Sequence, residues 1–309
     1  MARKTELAAT ALALTAMVLC ATALAAPLTV CMAADNPPLS WQAGGTARGL
    51  DLRIATALAQ AVGRELVVLP FDTSYEKESA LTNEVNALLS AGLCDTASGF
   101  PLLTSDLGPA GRASSRTPDY PGAKRKRERP FVPLGTLVAS RAYLAVSLGV
   151  VQRPGAPPLA QLADLGDRRL GAVSGTLASA VALGWRQGAL RPKVVSLALR
   201  EDALAELAKP TGSRIDVAFV PLAQYDGWQL AHPGTPLVAA DYRRPIGINL
   251  GFVTLAPASD LRAALDRVIA DALADGSLAR WAREEGVSWS APIAPDVSRG
   301  PSLAELTAD

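Results

Sequence analysis

The chain has 309 residues, with 30 lysines and arginines against 29 aspartates and glutamates, a single histidine and a net charge of +1. That length suits about two domains or lobes with sizeable cores. The near-neutral balance gives no bulk electrostatic reason to expect a nucleic-acid partner, and the single histidine leaves no second imidazole for a zinc site.

Residues 1–26 read as a cleavable secretory signal. Arg3 and Lys4 form the charged start, residues 8–24 an apolar run, and Ala23-Leu24-Ala25 a small-residue exit. The run is close to the minimum length for a membrane span, but the small residues at its end favour cleavage over anchoring. Leu19 is too large to precede a lipid-modified Cys20. Cleavage removes Cys20 and leaves Cys31 and Cys94, a pair that suggests one disulfide in an exported chain. Cys31 lies in a predicted first strand and Cys94 opens a predicted third. Neighbouring parallel strands run about 4.8 Å apart, within disulfide reach. Two buried free thiols are the alternative.

The mature chain opens with a strand over residues 28–32 and a loop over 33–48 that carries Trp41. A helix follows over 50–62, with Leu50, Ile54, Leu58 and Val62 on one face and Gly63 as its stop. A strand over 65–69 leads into a loop containing Phe71 and Tyr75. Leu81, Val85, Leu88 and Leu89 mark the next helix, Gly92 sits where a C-cap glycine belongs, and residues 94–98 form a short strand that turns at Gly99, Phe100 and Pro101. This is β-α-β-α-β, the pattern of a mostly parallel sheet. Ligands of such sheets bind beyond the carboxyl ends of the strands.

Residues 102–130 interrupt the rhythm. They are rich in Gly, Pro, Ser and Arg and hold the run Lys124-Arg125-Lys126-Arg127-Glu128-Arg129, read as a solvated surface insertion able to steer an acidic partner. An apolar extended stretch over 136–148 precedes a second β-α-β series. Strands are predicted over 169–173, 194–197 and 215–220, and helices over 159–165, 177–187, 201–207 and 221–229. Further extended stretches cover 237–239 and 248–255. Helices over 261–273 and 277–285 follow, split at Asp275-Gly276, and the Pro-rich tail from Ser290 reads as loosely held.

The order of these pieces resembles a type II periplasmic solute-binding protein of family 3, the amino-acid-binding group. The resemblance rests on LTVCMAADNPPLSW followed by GLDLRIATALAQAVG, on NALLSAGLCDTASGF, LADLGDRRLGAVSGTLAS and SRIDVAFVPLAQY, and on the closing LRAALDRVIADALADGSLARWAREEGV. It implies an α/β fold of two lobes, each a mainly parallel sheet flanked by helices, with a cleft between them. Lobe one would comprise residues 27–138 plus 251–295 and lobe two 139–250, with 296–309 as a tail. The lobes would be joined by extended crossings near residues 136–142 and 242–250 and would close on a hinge. Within the family, the Cys31 and Cys94 segments resemble the branch associated with quinoprotein (pyrroloquinoline-quinone) dehydrogenases. That branch implies a periplasmic auxiliary of alcohol or methanol oxidation, partnered by a dehydrogenase or its cytochrome. The wider family implies a monomeric receptor for a small organic or amino-acid-like solute that works with an ABC permease.

Two departures bear on the ligand. The arginine that the family places soon after the third strand, to clamp a carboxylate, has only Arg112 or Arg116 as a counterpart, inside the insertion. The aspartate expected five residues after Asp216, to hold an ammonium group, is Pro221. Buried unpaired charge is expensive, so an ordinary free amino acid is disfavoured. Ser174-Gly175-Thr176 does match an anion-holding turn at a helix start.

Enzyme motifs are absent. His232 sits alone in a predicted loop, Gly171-Ala172-Val173-Ser174-Gly175 is not G-x-S-x-G, and no G-x-G-x-x-G or Walker A sequence occurs. No catalytic residue, metal or cofactor is expected. The candidate ligand-binding residues are Trp41, Phe71, Tyr75 and Phe100 from lobe one and Ser174, Gly175, Thr176, Gln224 and Tyr225 from lobe two.

Overall fold

The computed structural model describes residues 26–73 and 80–308. The expected signal segment lies outside the described residues except for Ala26, and Tyr75 also lies outside them. Strand β1 (Leu28–Ala33) is buried on both faces: Leu28, Val30 and Met32 enter one core, Cys31 and Ala33 another, the two-residue alternation of an extended chain. The predicted loop over 33–48 is instead a three-stranded antiparallel ribbon, β2 (Asp35–Asn36), β3 (Ser40–Ala43) and β4 (Thr46–Arg48). Gly44 and Gly45, both at positive φ, make its tight turn.

Helix α1 (Leu50–Val62) buries Leu50, Ile54 and Leu58 and ends at Gly63 in the left-handed conformation. Gly49 at its start has no substitute: a Cβ there would lie 2.3 Å from the Leu39 carbonyl oxygen. Strand β5 (Leu66–Phe71) pairs parallel with β1 and continues through Pro70 and Phe71, where a loop is predicted. A proline is tolerated there because β5 is the edge strand of the sheet.

Helix α2 (Leu81–Ser90) leads through Gly92 to β6 (Thr96–Pro101). This strand starts two residues after Cys94 and continues through Gly99, Phe100 and Pro101, the predicted turn. The 102–130 insertion is folded rather than merely solvated. Its β7 (Ser114–Ser115) pairs antiparallel with β8 (Val132–Pro133), and a 3-10 turn spans Lys126–Glu128. Arg129 is buried and donates to the Pro118 carbonyl and the Asp119 carboxylate. Two strands follow, β9 (Leu137–Ala139) and β10 (Leu144–Gln152).

The second lobe contains β11 (Leu170–Val173), α3 (Leu177–Gly188), β12 (Val194–Leu197), α4 (Ala203–Ala208), β13 (Val217–Pro221) and α5 (Leu222–Ala231). The separate extended stretches predicted near 237–239 and 248–255 are one strand, β14 (Val238–Leu255). Helices α6 (Ser259–Ala274) and α7 (Ser277–Glu284) return to the first lobe, where Leu265, Ile269 and Leu278 join the β1 and α1 core. A short helix, α8 (Leu303–Thr307), ends the described chain.

Among the described residues, nine strands form one mixed sheet, ordered β12-β11-β13-β10-β14-β6-β1-β5, with β9 also paired to β14. Parallel pairs are confined to the two ends, β5-β1-β6 and β12-β11-β13, while β10 and β14 run antiparallel to each other between them. Each end is covered on both faces. Lobe one has a core around β1, α1 and α6 and another around Cys31, Val85 and Leu88. Lobe two has cores around Val150, Val181 and Phe219 and around Leu204, Leu207 and Ile215. The fold is α/β with two lobes. Cys31 and Cys94 are joined by a disulfide, with their Cα atoms 5.7 Å apart.

Candidate functional site

The sheet register locates the site. Strand β6 ends at Pro101, opposite Leu250 on β14, and Leu250 also faces Leu144 on β10. Strand β13 ends at Pro221, opposite Leu148 on β10. The carboxyl ends of the two parallel arrays therefore point toward each other across residues 144–148 of β10, a stretch of about 13 Å at the rise of an extended chain. Strand carboxyl ends are where open α/β sheets take ligands, and here two sets converge on one stretch.

Each array continues beyond its strand ends into segments that meet the other lobe. The β2–β3 turn after β1 reaches α5, the helix after β13: a Cβ added at Gly227 would lie 2.8 Å from the Pro37 carbonyl oxygen. One residue earlier, Asp226 is buried and accepts from the Ser288 backbone N–H at 2.7 Å and from its hydroxyl at 2.6 Å. Ser288 follows α7, so this contact joins lobe two to lobe one. Burial raises the Asp226 carboxyl to about 6, against the opposing pull of Ser288.

A second buried carboxyl lies at the lobe-one end. Asp51, in the first turn of α1, accepts from the Tyr143 hydroxyl at 2.6 Å, and Tyr143 immediately precedes β10. Asp51 and Tyr143 are both fully buried. Burial raises Asp51 to about 6, although the Tyr143 hydrogen bond favours its ionised form. The Tyr143 hydroxyl is pushed well above its ordinary value, by burial first and by the neighbouring Asp51 charge next.

The tail is not loosely held. The Ala145 N–H donates to the Ser290 carbonyl, and the Asn249 side chain grips the tail at Ile293 from both its amide oxygen and its amide nitrogen. Ser298 then pairs with Leu102 and Thr104, just beyond β6, and its hydroxyl donates to the Gly247 carbonyl at 2.7 Å. Helix α8, capped by Ser302 and Glu305, puts Leu306 into the lobe-two core with Val181 and Trp185. The tail is thus a third connection between the lobes. Pro-rich sequence concealed it, because its grip comes from backbone groups and from Asn249, more than forty residues away in sequence.

The candidate residues fall into three groups. Phe71 and Phe100 are core side chains, each 3% exposed, packed with Cys31, Val85 and Leu88 rather than lining a cleft. They were misplaced because both strands run on through positions predicted as turns. Tyr225 is also interior, 9% exposed, and its hydroxyl donates to the Leu237 carbonyl at 3.0 Å. Trp41 is half-buried on β3, with the Arg48 guanidinium 5.9 Å above its ring. Ser174 and Gly175 are exposed after β11, and Gln224 is exposed in the first turn of α5. Thr176 is committed to α3: its hydroxyl accepts from the Ser179 N–H and donates to the Val173 carbonyl at 2.7 Å. Pro221 is the residue before α5 and offers no side-chain acceptor. Asp226, Ser288 and Asn249 were missed. Asp226 and Asn249 each sit among other polar residues of their elements, Gln224 and Gln229 in α5 and Arg243 and Arg244 in β14, so no local pattern singles them out.

Among the described residues, no group of three or more His, Cys, Asp or Glu side chains is placed to hold a metal ion, and no helix is long and apolar enough to cross a membrane.

No protein-family model matches the chain, and no curated protein matches it. Solved structures do share its fold. One is the second substrate-binding domain of a transporter assigned to the amino acid ABC class, from Streptococcus pneumoniae. It has a TM-score of 0.59 and 13% identity, over 84% of this chain and 99% of that one. Another is substrate-binding domain 2 of Lactococcus lactis GlnP in its open conformation, with a TM-score of 0.59 and 14% identity over 85% and 96% of the two chains.

Proposed function

We propose that the chain is a non-catalytic, exported solute-binding protein that holds a small carboxylate-bearing molecule between its lobes and presents it to an ABC importer. The observation that carries this reading is the convergence of two sets of strand carboxyl ends on residues 144–148 of β10. The two solved structures named above, both substrate-binding domains, support it through their shared fold.

The ligand chemistry follows from what each wall offers. At Ser174-Gly175-Thr176, the Ser179 N–H is satisfied by Thr176, while the earlier N–H groups of the α3 start face no intrahelical acceptor. Together with the helix dipole, that end favours a carboxylate. On the β13 side Pro221 supplies no acceptor for an ammonium group, and Gln224 supplies a neutral amide. Trp41 adds an apolar wall. This set suits an organic acid, or an amino-acid-like solute without a free ammonium group, better than a zwitterion. The lobes, 27–138 plus 251–295 and 139–250, would move as rigid bodies about β10 and β14, with the 296–309 tail limiting the travel.

A thermal-shift panel of amino acids, organic acids, amines and alcohols tests the proposal. A ligand at a hundred times its dissociation constant stabilises by about 2.7 kcal/mol. The expected result is a saturable rise with a carboxylate solute, weakened by Gly175→Val and Gln224→Ala. A flat panel overturns it.

A second reading is favoured by the Cys31–Cys94 bridge and by Pro221: a periplasmic auxiliary of a quinoprotein alcohol dehydrogenase that keeps the fold and binds the enzyme or its cytochrome. A flat panel followed by specific capture of a dehydrogenase would select it.

A further inference from the structure

We propose that lobe one carries a second binding site, separate from the lobe junction, for a small anion bearing two or more carboxylate or phosphate groups. The site is a cavity of about 1110 Å³ walled by the start of α2, by β7 and by the folded basic run. Among the described residues, five cationic side chains line it: Arg112, Arg116, Arg125, Lys126 and Arg127. The carboxylates that line it, among the described residues, are Glu84 and Glu128. Lys126 is 2.7 Å from Glu84, which accounts for one carboxylate. Among the described residues, no carboxylate pairs with Arg112, Arg116, Arg125 or Arg127.

A run of like charges on a solvated loop spreads apart to relieve repulsion. This one is tied down. Buried Arg129 anchors its end to Pro118 and Asp119, and the Asp119 carbonyl accepts from the Asp72 N–H at 2.8 Å, fastening the insertion to the end of β5. Lys126 ties the 3-10 turn to α2 through Glu84. Arg116 is held from two sides: its Nε donates to the Arg129 carbonyl at 3.0 Å, and its guanidinium lies 4.2 Å from the Phe131 ring centroid. Its terminal nitrogens are left for the cavity. A planar guanidinium held in place suits two-point recognition of a carboxylate or phosphate. Several such groups around one concavity focus a positive potential in it. A half-open concavity with a volume slightly above that of ordinary small-molecule pockets suits a compact ligand with its water. The lining comes from lobe one alone, so occupancy does not require hinge closure.

Isothermal titration of the purified protein with citrate and, in a separate arm, with pyrophosphate tests the site; acetate is the monovalent control. The expected result is saturable binding of at least one multivalent anion at low salt, weakened severalfold at 300 mM NaCl, with acetate much weaker. Citrate alone would define the ligand as a polycarboxylate, and pyrophosphate alone as a phosphate compound. R112Q/R116Q should weaken binding at least tenfold. R125Q/R127Q, confined to exposed side chains, gives an independent check should the first pair disturb folding. Gly175→Val at the lobe junction should leave the affinity unchanged. No binding of either multivalent anion, equal binding by both arginine pairs and wild type, or loss caused by Gly175→Val would each overturn the proposal.

Discussion

Lobes one and two repeat the same strand–helix–strand rhythm, yet they are completed by different means. Lobe one closes on itself: the Cys31–Cys94 bridge ties β1 to the approach to β6, across neighbouring strands and 63 residues of chain. Lobe two has no such bond. One of its cores is finished by Leu306, from a helix at the far end of the chain. The consequence is mechanical. A local bond stiffens one lobe and leaves the junction free, whereas a borrowed helix stiffens the other lobe and couples it to the junction, because the tail must cross to reach it.

The largest effect should come from the bridge. Closing a 63-residue loop stabilises by about 4 kcal/mol in the chain-entropy model. The C31A/C94A variant should lose about that much in urea unfolding, with lobe one melting first; a single unchanged transition would show that the bridge constrains nothing the fold does not already fix. Next is Leu306→Ala, expected to cost about 2–4 kcal/mol, read by the fluorescence of Trp185, which shares its core. Loss of signal from lobe one instead would break the comparison.

The two raised carboxyls sharpen it further. Asp51 serves lobe one and Asp226 the junction, and each is raised by burial to about 6, above the roughly 3.9 of an unfolded aspartate. Between those values the folded chain holds more protons than the unfolded chain. Stability from this source is therefore full below about pH 4 and declines as pH climbs through about 6. Each carboxyl should contribute up to about 3 kcal/mol to that decline, at 1.36 kcal/mol per pKa unit. Asp51→Asn should flatten the profile between pH 4 and 7 in chemical denaturation; an unchanged slope would place the titration elsewhere. The smallest effect is Gly184→Ala. A Cβ there would lie 2.4 Å from Thr307 Cγ2, so α8 should lift at a cost of about 1 kcal/mol, recovered in part by adding Thr307→Ala. No recovery would mean that Gly184 acts within α3 alone.

Much of this architecture was legible in the chain. The α1 boundaries follow from the four-residue spacing of Leu50, Ile54, Leu58 and Val62 and from Gly63. The disulfide follows from placing Cys31 on one strand and Cys94 at the approach to its neighbour. Strand ends were less legible. Gly99, Phe100 and Pro101 carry turn composition, yet β14 pairs with Phe100 and Pro101 and keeps them in the sheet, past an irregularity at Gly99. Pro70 and Phe71 are kept in the sheet by β1. Long-range pairing overrode local preference in both places, and it moved two aromatic residues from the expected site into the core. The tail and the Asp226–Ser288 contact depend on partners 44 or more residues apart in sequence, which no local pattern reports. The folding of the basic insertion was hidden for the same reason: its anchor, Arg129, looks in sequence like one more charge in the run.

The most direct test of the central claim is the distance between the lobes. Spin labels on cysteines replacing Thr46 and Arg200, exposed positions on lobes one and two, report it by pulsed electron resonance. With the solute that gives the largest thermal shift, the distribution should shorten and narrow, and Gly175→Val should leave it as in the free protein. The same distribution with and without that solute would contradict a ligand held between converging strand ends.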